Sequence, residues 1–336
     1  MGWVFPRIRN AILGLLLLAG PAACRPDSPE PDRQSTGFIV LVGAGQSDPL
    51  WLILRASARE FQEYQRKVEI RVEAPAVVSP NLQGQLIRRL RDEGMRGLCV
   101  QVIDPRASAR LLESLRSSGV AVVTMMRRVE SPDPFLHCGI DPLEEGAALA
   151  RALAERIPDR GTVGVIYDDS DETRRLRRAG FNRQFMQYAG LTVLRELDCR
   201  GDAVAAVRSM REAMERFPGI DGWAAMDTWP VDGANDGAPL LPEGCVLVLP
   251  GLPADPVGAI RSGRCQALVL AKDYRQIVRR ALEMCLLSLD RQVVHRRVFE
   301  APAEVVTRQT VDEFERQWAA WTGAADEPPG GPGGAP

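Results

Sequence analysis

The sequence predicts an α/β protein with two lobes, each built on an open parallel sheet. Three observations lead there. Gly37–Leu54, GFIVLVGAGQSDPLWLIL, reads as a buried strand over Phe38–Val42, a small-residue turn, and a helix starting at Asp48-Pro49. Strand and helix patterns then alternate along the chain. At Asp141 the pattern restarts, giving two βα series of similar size. Open parallel sheets bind ligands beyond the carboxyl ends of their strands, and two such lobes leave a cleft between those ends. The turn after the first strand lies at such an end.

Each element has its own warrant. Asp48 can accept a hydrogen bond from a first-turn amide, and Pro49 suits the first helical position of a helix running to about Tyr64. Val68–Val72 alternates with period two, a half-exposed strand. Leu82, Leu86, Ile87 and Leu90 mark one face of a helix over Pro80–Glu93. Gly97–Ile103 is a strand, Asp104-Pro105 opens a helix to Ser118, and Val120–Met125 is a strand ending at Met126-Arg127-Arg128. A looser segment then leads to a short strand, Leu136–Ile140. The second series reads Pro142–Ile157 helix, Gly161–Tyr167 strand ending in Asp168-Asp169, and Glu172–Tyr188 arginine-rich helix. Leu191–Leu197 is a strand, Asp202–Arg216 a helix, and Ile220–Met226 a strand ending at Asp227. Cys245–Leu249, Asp255–Ser262, Gln266–Ala271 and Tyr274–Asp290 read as strand, short helix, strand and long helix. Arg297–Val306 is extended, and Thr310–Trp321 is a closing helix.

Composition excludes several functions. A net charge of −2 gives no electrostatic case for nucleic acid. The two histidines, His137 and His295, are far apart and no His/Cys cluster exists, so neither a metal site nor a histidine-based triad is expected. No activated nucleophile or paired acid and base can be identified, so the chain reads as a non-enzyme with no catalytic residues and no cofactor. Gly43-x-Gly45 fails as a dinucleotide fingerprint because Asp48 takes the third glycine's place and would repel a pyrophosphate. The acidic run Asp168–Glu172 sits at a strand-to-helix junction, where carboxylates cap helices.

The ends carry targeting information. Arg7 and Arg9 precede the apolar run Ala11–Gly20 and then Pro21-Ala22-Ala23-Cys24, which reads as a signal peptide over 1–23, too short to span a bilayer. Residues 24–36 are polar and proline-rich, suited to a flexible tether, and 323–336 is a low-complexity tail expected to be disordered. Six cysteines follow Cys24, at 99, 138, 199, 245, 265 and 285. They read as buried free thiols, with one bridge such as Cys245–Cys265 left open.

Several local matches, taken in order, resemble the periplasmic sugar-binding proteins of the ribose/galactose type, which share a fold with LacI-type repressor cores. They are Asp48-Pro49-x-Trp51, DEGMRGLCVQVIDP over 92–105, Ser118–Thr124 leading to Arg127, and Gly139-Ile140-Asp141 before Glu145-Gly146-Ala147. Arg178-Ala179-Gly180-Phe181 and Ala259–Gly263 extend the series, so the resemblance covers Gly37–Val311. It implies the type 1 periplasmic binding protein fold: two Rossmann-like lobes, 37–138 with 272–302 and 139–271 with 303–320, joined by a three-stranded hinge. A repressor would need a DNA-binding headpiece before residue 37, where this chain has its leader. Cys24 directly after Ala-Ala resembles a lipobox, with Pro21 in place of the usual leucine, so lipidation at Cys24 and cleavage by the ordinary signal peptidase both stand open. The implied protein is exported to the periplasm, lipid-anchored if Cys24 is modified. It would serve a sugar-type ABC permease by closing over a small polar ligand. The same clamp could instead face a membrane signalling receptor, or have lost its ligand.

Carried over by position, the ligand-binding candidates are Asp48, Trp51, Met126, Arg127, Arg175, Met226, Asp227 and Lys272. Arginines would bond hydroxyls in planar, bidentate fashion, while Trp51 would cover an apolar ring face. Each also has a structural reading: capping for Asp48, core filling for Trp51, a surface ion pair for Arg127, a solvated basic face for Arg175. The departures from the family pattern are Met126, Met226 and Pro250 where the resemblance implies hydroxyl-binding groups, and Lys272 where it implies an amide. A ribose-like mode is therefore expected to be lost. The alternatives are a more apolar ligand, an anion held by Arg127, Arg175 and Lys272, or a degenerate site. The loop from Trp229 to Glu243 reads as a rebuilt connection at the cleft.

Overall fold

The computed structural model describes residues 37–234 and 239–323, and within them lie two six-stranded sheets. The signal peptide 1–23, Cys24 with the tether 24–36, and all of the tail except Gly323 lie outside the described residues. The first sheet contains β1 (Ile39–Val42), β2 (Ile70–Glu73), β3 (Gly97–Gln101), β4 (Ala121–Met125), β5 (Leu136–Ile140) and β11 (Val298–Ala301). Its spatial order is β11-β5-β4-β3-β1-β2, all parallel. The second sheet contains β6 (Gly161–Tyr167), β7 (Leu191–Asp198), β8 (Gly222–Ala225), β9 (Val246–Pro250), β10 (Ala267–Ala271) and β12 (Ala303–Thr307). Its order is β12-β10-β9-β8-β6-β7, with only β12 antiparallel. The expected two-lobe, parallel-sheet fold is the fold observed.

Each lobe thus winds the same way: its first strand lies between the second and the third. The order reverses beside β1 in one sheet and beside β6 in the other, and a crevice opens at such a point beyond the strand ends. The chain passes between the sheets after β5, after β10, and between β11 and β12. At that last passage Pro302 splits the single extended segment expected over Arg297–Val306.

Helices α1 (Leu50–Tyr64), α2 (Pro80–Asp92), α3 (Pro105–Ser117) and α9 (Tyr274–Leu289) cover the first sheet. The second is covered by α4 (Pro142–Ala154), α5 (Glu172–Phe185), α6 (Ala203–Arg216) and α8 (Pro256–Arg261). Most helices start where an aspartate accepts a backbone N–H, as Asp104, Asp141, Asp171, Asp202, Asp255 and Asp273 all do. One short feature differs from expectation. The stretch after Asp227 forms a one-turn helix, α7 (Trp229–Gly233), where a loop was expected. The closing helix α10 (Val311–Thr322) packs against both α1 and α8, and Trp321 meets Tyr274 of α9 edge to face at 5.5 Å. All six described cysteines are buried free thiols, so the Cys245–Cys265 bridge does not form.

Helices α4 and α5 pack backbone against backbone, and two glycines make it possible. A Cβ on Gly146 would stand 1.9 Å from the carbonyl oxygen of Arg177, and one on Gly180 would stand 2.0 Å from that of Leu143. Both neighbours are backbone and cannot swing aside. Gly180→Ala is therefore expected to cost about 1–3 kcal/mol or more, read as a lower urea midpoint. A midpoint unchanged from wild type would show that the helices are free to separate.

His137 is buried in β5, its Nδ1 3.0 Å from Thr124 Oγ1. Burial, with the charge of Arg128 adding to it, pushes its pKa down to about 3. The unfolded chain binds this proton below pH 6.5 and the folded chain does not, so stability is complete above 6.5 and falls as pH drops towards 3. Between pH 7 and pH 5 the contribution is about 2 kcal/mol. Urea titrations should show His137→Asn losing less stability than wild type over that interval; equal slopes would contradict the burial of a neutral ring.

Candidate functional site

The carboxyl ends of β1, β3, β6 and β8 face one another across a cleft of about 1000 Å³. On the first lobe the turn after β1 is held by amides. Gln83, buried on α2, donates to the carbonyls of Gly43 (3.0 Å) and Gln101 (2.8 Å). The Gln101 side chain accepts from Ala44 N–H at 3.0 Å and donates to Asp48 Oδ1 at 3.2 Å. Asp48 Oδ1 also accepts from Leu50 N–H at 2.9 Å, so the capping role read from the sequence is present. Burial lifts the Asp48 carboxyl above the ordinary aspartate range, against the pull of those hydrogen bonds. Gln83 and Gln101 were not singled out in the sequence. Gln101 carries one signal, a polar residue closing an otherwise apolar strand, whereas Gln83 sits on a polar helix that offers none.

The centre of the cleft is an ion-pair cluster. Met126 takes a left-handed conformation, φ 67°, at the end of β4, and the turn sends Arg127 across to the second lobe. Arg127 donates to Ile103 O at 2.8 Å and to Asp227 Oδ2 at 3.0 Å. Arg174, one turn into α5, reaches the same Asp227 oxygen through Nε (3.3 Å) and Nη2 (3.1 Å), and also pairs with Asp168. Its guanidinium lies 4.9 Å from the centre of the Trp229 ring. Arg177 pairs with Glu145 at 2.6 Å and donates to Met226 O at 2.6 Å. Burial would raise the Asp227 carboxyl, but Arg127, Arg174 and Arg177 together hold it below the usual aspartate range. Burial likewise pushes the Arg127 guanidinium down, and Asp227 partly offsets this.

Further contacts join the two lobes beside this cluster. Arg128 N–H donates to Thr173 Oγ1 at 3.1 Å, and Glu130 pairs with Arg175 at 2.5 Å. Among the described lining residues seven carboxylates stand against six guanidiniums, a formal charge of −1. No group of three or more His, Cys, Asp or Glu among the described residues could hold a metal ion.

Of the eight candidate residues, Asp48, Met126, Arg127 and Asp227 line the cleft. The other four are placed outside its lining. Trp51 packs beside Gly43, with Arg55 over its ring at 6.0 Å. Met226 is buried in the core beneath α4 and offers the site only its carbonyl, to Arg177. Arg175 is on the outer side of α5 with Glu130, because positions 174 and 177 share one helical face and 175 does not. Lys272 is exposed, and its backbone carbonyl accepts from Gln317. Pro250 is buried, and the following Gly251 lines the cleft. The expected cation trio of Arg127, Arg175 and Lys272 therefore does not assemble. Arg174, Arg177 and Trp229 occupy the cleft instead.

Asp227 neutralises two guanidiniums at once, that of buried Arg174 and that of half-buried Arg127. Removing one partner of such a group leaves charge unpaired, so Asp227→Ala is expected to destabilise by about 3 kcal/mol. Asp227→Asn, which keeps a hydrogen-bond acceptor, should lose less. Urea denaturation at low salt reads both, and an unchanged midpoint for Asp227→Ala would mean that the pairs are solvated.

A sequence model of the family described as periplasmic binding protein domain matches residues 39–290. No curated protein matches the chain in sequence. Several solved structures share its fold. A periplasmic solute-binding protein of an ABC transporter from Actinobacillus succinogenes, with bound D-allose, has a TM-score of 0.69 at 17% identity over 82% of this chain and 99% of its own. An arabinose-binding protein from Geobacillus stearothermophilus gives 0.70 at 18% identity, covering 83% and 99%. The myo-inositol-binding protein of Caulobacter, with myo-inositol bound, gives 0.66 at 16% identity, covering 84% and 96%.

Proposed function

We propose a function from one premise: the chain belongs to the family of periplasmic binding protein domains. It is an exported solute-binding protein that closes its two lobes over a small neutral polyhydroxylated molecule, a sugar or cyclitol, and delivers it to an ABC permease. The leader read over 1–23 fits export to the periplasm, and Cys24 fits a lipid anchor.

The observation that carries this reading is the set of carboxylate–guanidinium pairs at the strand ends. A carboxylate bonded to an arginine keeps a second oxygen for a hydroxyl donor, and the guanidinium keeps N–H groups for a hydroxyl oxygen. Arg127, Arg174 and Asp227 supply such groups, and Asp48, held by the Gln101 amide, adds a carboxylate from the first lobe. Trp229 in the lining, largely buried with Arg174 against its ring, contributes apolar surface beside these groups. The net charge of the lining argues for a neutral ligand over an anion. The bound D-allose and myo-inositol in proteins of the same fold are of this chemical type.

Thermal-shift measurements on the purified protein test it. The panel is D-allose, D-arabinose, D-tagatose and myo-inositol beside glucose 6-phosphate and glucuronate. A ligand at a hundred times its Kd adds about 2.7 kcal/mol to the folded state and raises the midpoint in proportion to its logarithm of concentration. At least one neutral member should do so, the anions should not, and Arg127→Ala should abolish the shift. Silence of all four neutral compounds would sink the sugar reading, and preference for an anion would sink its neutrality.

A further inference from the structure

Asp171 has a carboxylate oxygen with nothing donated to it. Its Oδ1 caps α5, accepting from Arg174 N–H at 2.9 Å. Its Oδ2 is buried among the cleft-lining residues and accepts no hydrogen bond, although Arg127 Nη1 is 3.7 Å away and Arg174 Nε 3.6 Å away. The neighbouring Asp227 Oδ2 meanwhile accepts from Arg127 Nη2, Arg174 Nε and Arg174 Nη2. The same two guanidiniums therefore crowd three donors onto one oxygen and give none to the other. A buried acceptor left without a donor is desolvated with no compensation, so this distribution needs a reason.

We infer that Asp171 is a positioning residue for the ligand: it is the second seat that Arg127 takes when a ligand hydroxyl occupies Asp227 Oδ2. The inference rests on the sugar-binding reading above. The required movement is small, because Nη1 needs to approach Asp171 Oδ2 by only about 1 Å to reach the length of a charge-assisted hydrogen bond. The exchange moves one guanidinium between two carboxylates, so no buried charge is unpaired at either end of it. It frees a lone pair of Asp227 for the ligand's hydroxyl and turns Arg127 Nη2 towards the ligand's oxygen. Arg127 belongs to the first sheet and both carboxylates belong to the second, so the lobes stay joined by an ion pair throughout. Without Asp171 a ligand would have to break the Arg127–Asp227 contact with no replacement.

A double-mutant cycle on Arg127→Lys and Asp171→Asn tests this, using whichever neutral sugar or cyclitol of the panel shifts wild type most. Asparagine keeps the helix cap while deleting the charge. Asp171→Asn should weaken affinity about tenfold or more, the worth of one charge-assisted hydrogen bond. Its ligand-free thermal midpoint should fall less than that of Asp227→Asn. The double variant should bind no worse than Arg127→Lys alone. Affinity within twofold of wild type, additive effects in the cycle, or a midpoint loss as large as that of Asp227→Asn would each overturn the assignment; Asp171→Ser, also a good cap, repeats the measurement should the asparagine variant fold poorly. If wild type itself binds no neutral compound, the sugar-binding reading falls and takes this inference with it. If wild type binds and Asp171→Asn binds equally, only the inference falls.

Discussion

Two guanidiniums converge on one carboxylate, and the interior of the cleft follows from that constraint. Asp227 stands at the end of β8, with Arg127 arriving from the first sheet and Arg174 from α5. Charges taken out of water are tolerable only when paired and hydrogen-bonded, so the ends of strands from two separate sheets are tied to a common point. Breaking the cluster at one residue leaves charge exposed to a low dielectric on both lobes. The pairs thus do two things together. They tie the two lobes together across the cleft, and they hold its polar groups in fixed planar arrangements.

Two backbone features make the cluster geometrically accessible. Gly146 and Gly180 let α4 and α5 approach until carbonyls of one lie where the other's Cβ atoms would be. That approach carries Arg177 to Glu145 and to the carbonyl of Met226, and it aims position 174 at the cleft. On the opposite lobe, the left-handed turn at Met126 directs Arg127 away from its own sheet. A non-glycine residue in that conformation is strained, and the ion pairs that Arg127 makes across the cleft supply the compensation. Packing and strain in the two lobes therefore serve a single electrostatic arrangement.

The departures from the sugar-binding pattern acquire a physical account on this basis. Met226 faces the core, so its apolar side chain removes nothing from the cleft. Met126 contributes through its backbone turn. The polar capacity implied for those positions is carried by Asp168, Asp171 and Arg174 on the second lobe, around the start of α5, and by the Gln83–Gln101–Asp48 chain on the first. The tryptophan in the cleft lining is Trp229, at the opening of α7, and not Trp51.

Periodicity and capping chemistry determined the elements of this protein, because an apolar run before a small-residue turn and an aspartate before a helix are local signals. Alternating strands and helices determined the parallel sheets, and the restart at Asp141 determined that there are two of them. The positions of Asp48, Arg127 and Asp227 at strand ends were legible for the same reason. The tertiary structure alone decided the rest. Which of four arginines in Arg174–Arg178 faces the cleft depends on the rotation of α5, and that rotation is set by two glycines meeting backbone on another helix. Whether Trp51 or Trp229 lines the cleft depends on how the turns pack. Whether Arg127 is free or paired depends on a carboxylate a hundred residues away, brought within 3.0 Å only by the packing of the chain into two facing lobes.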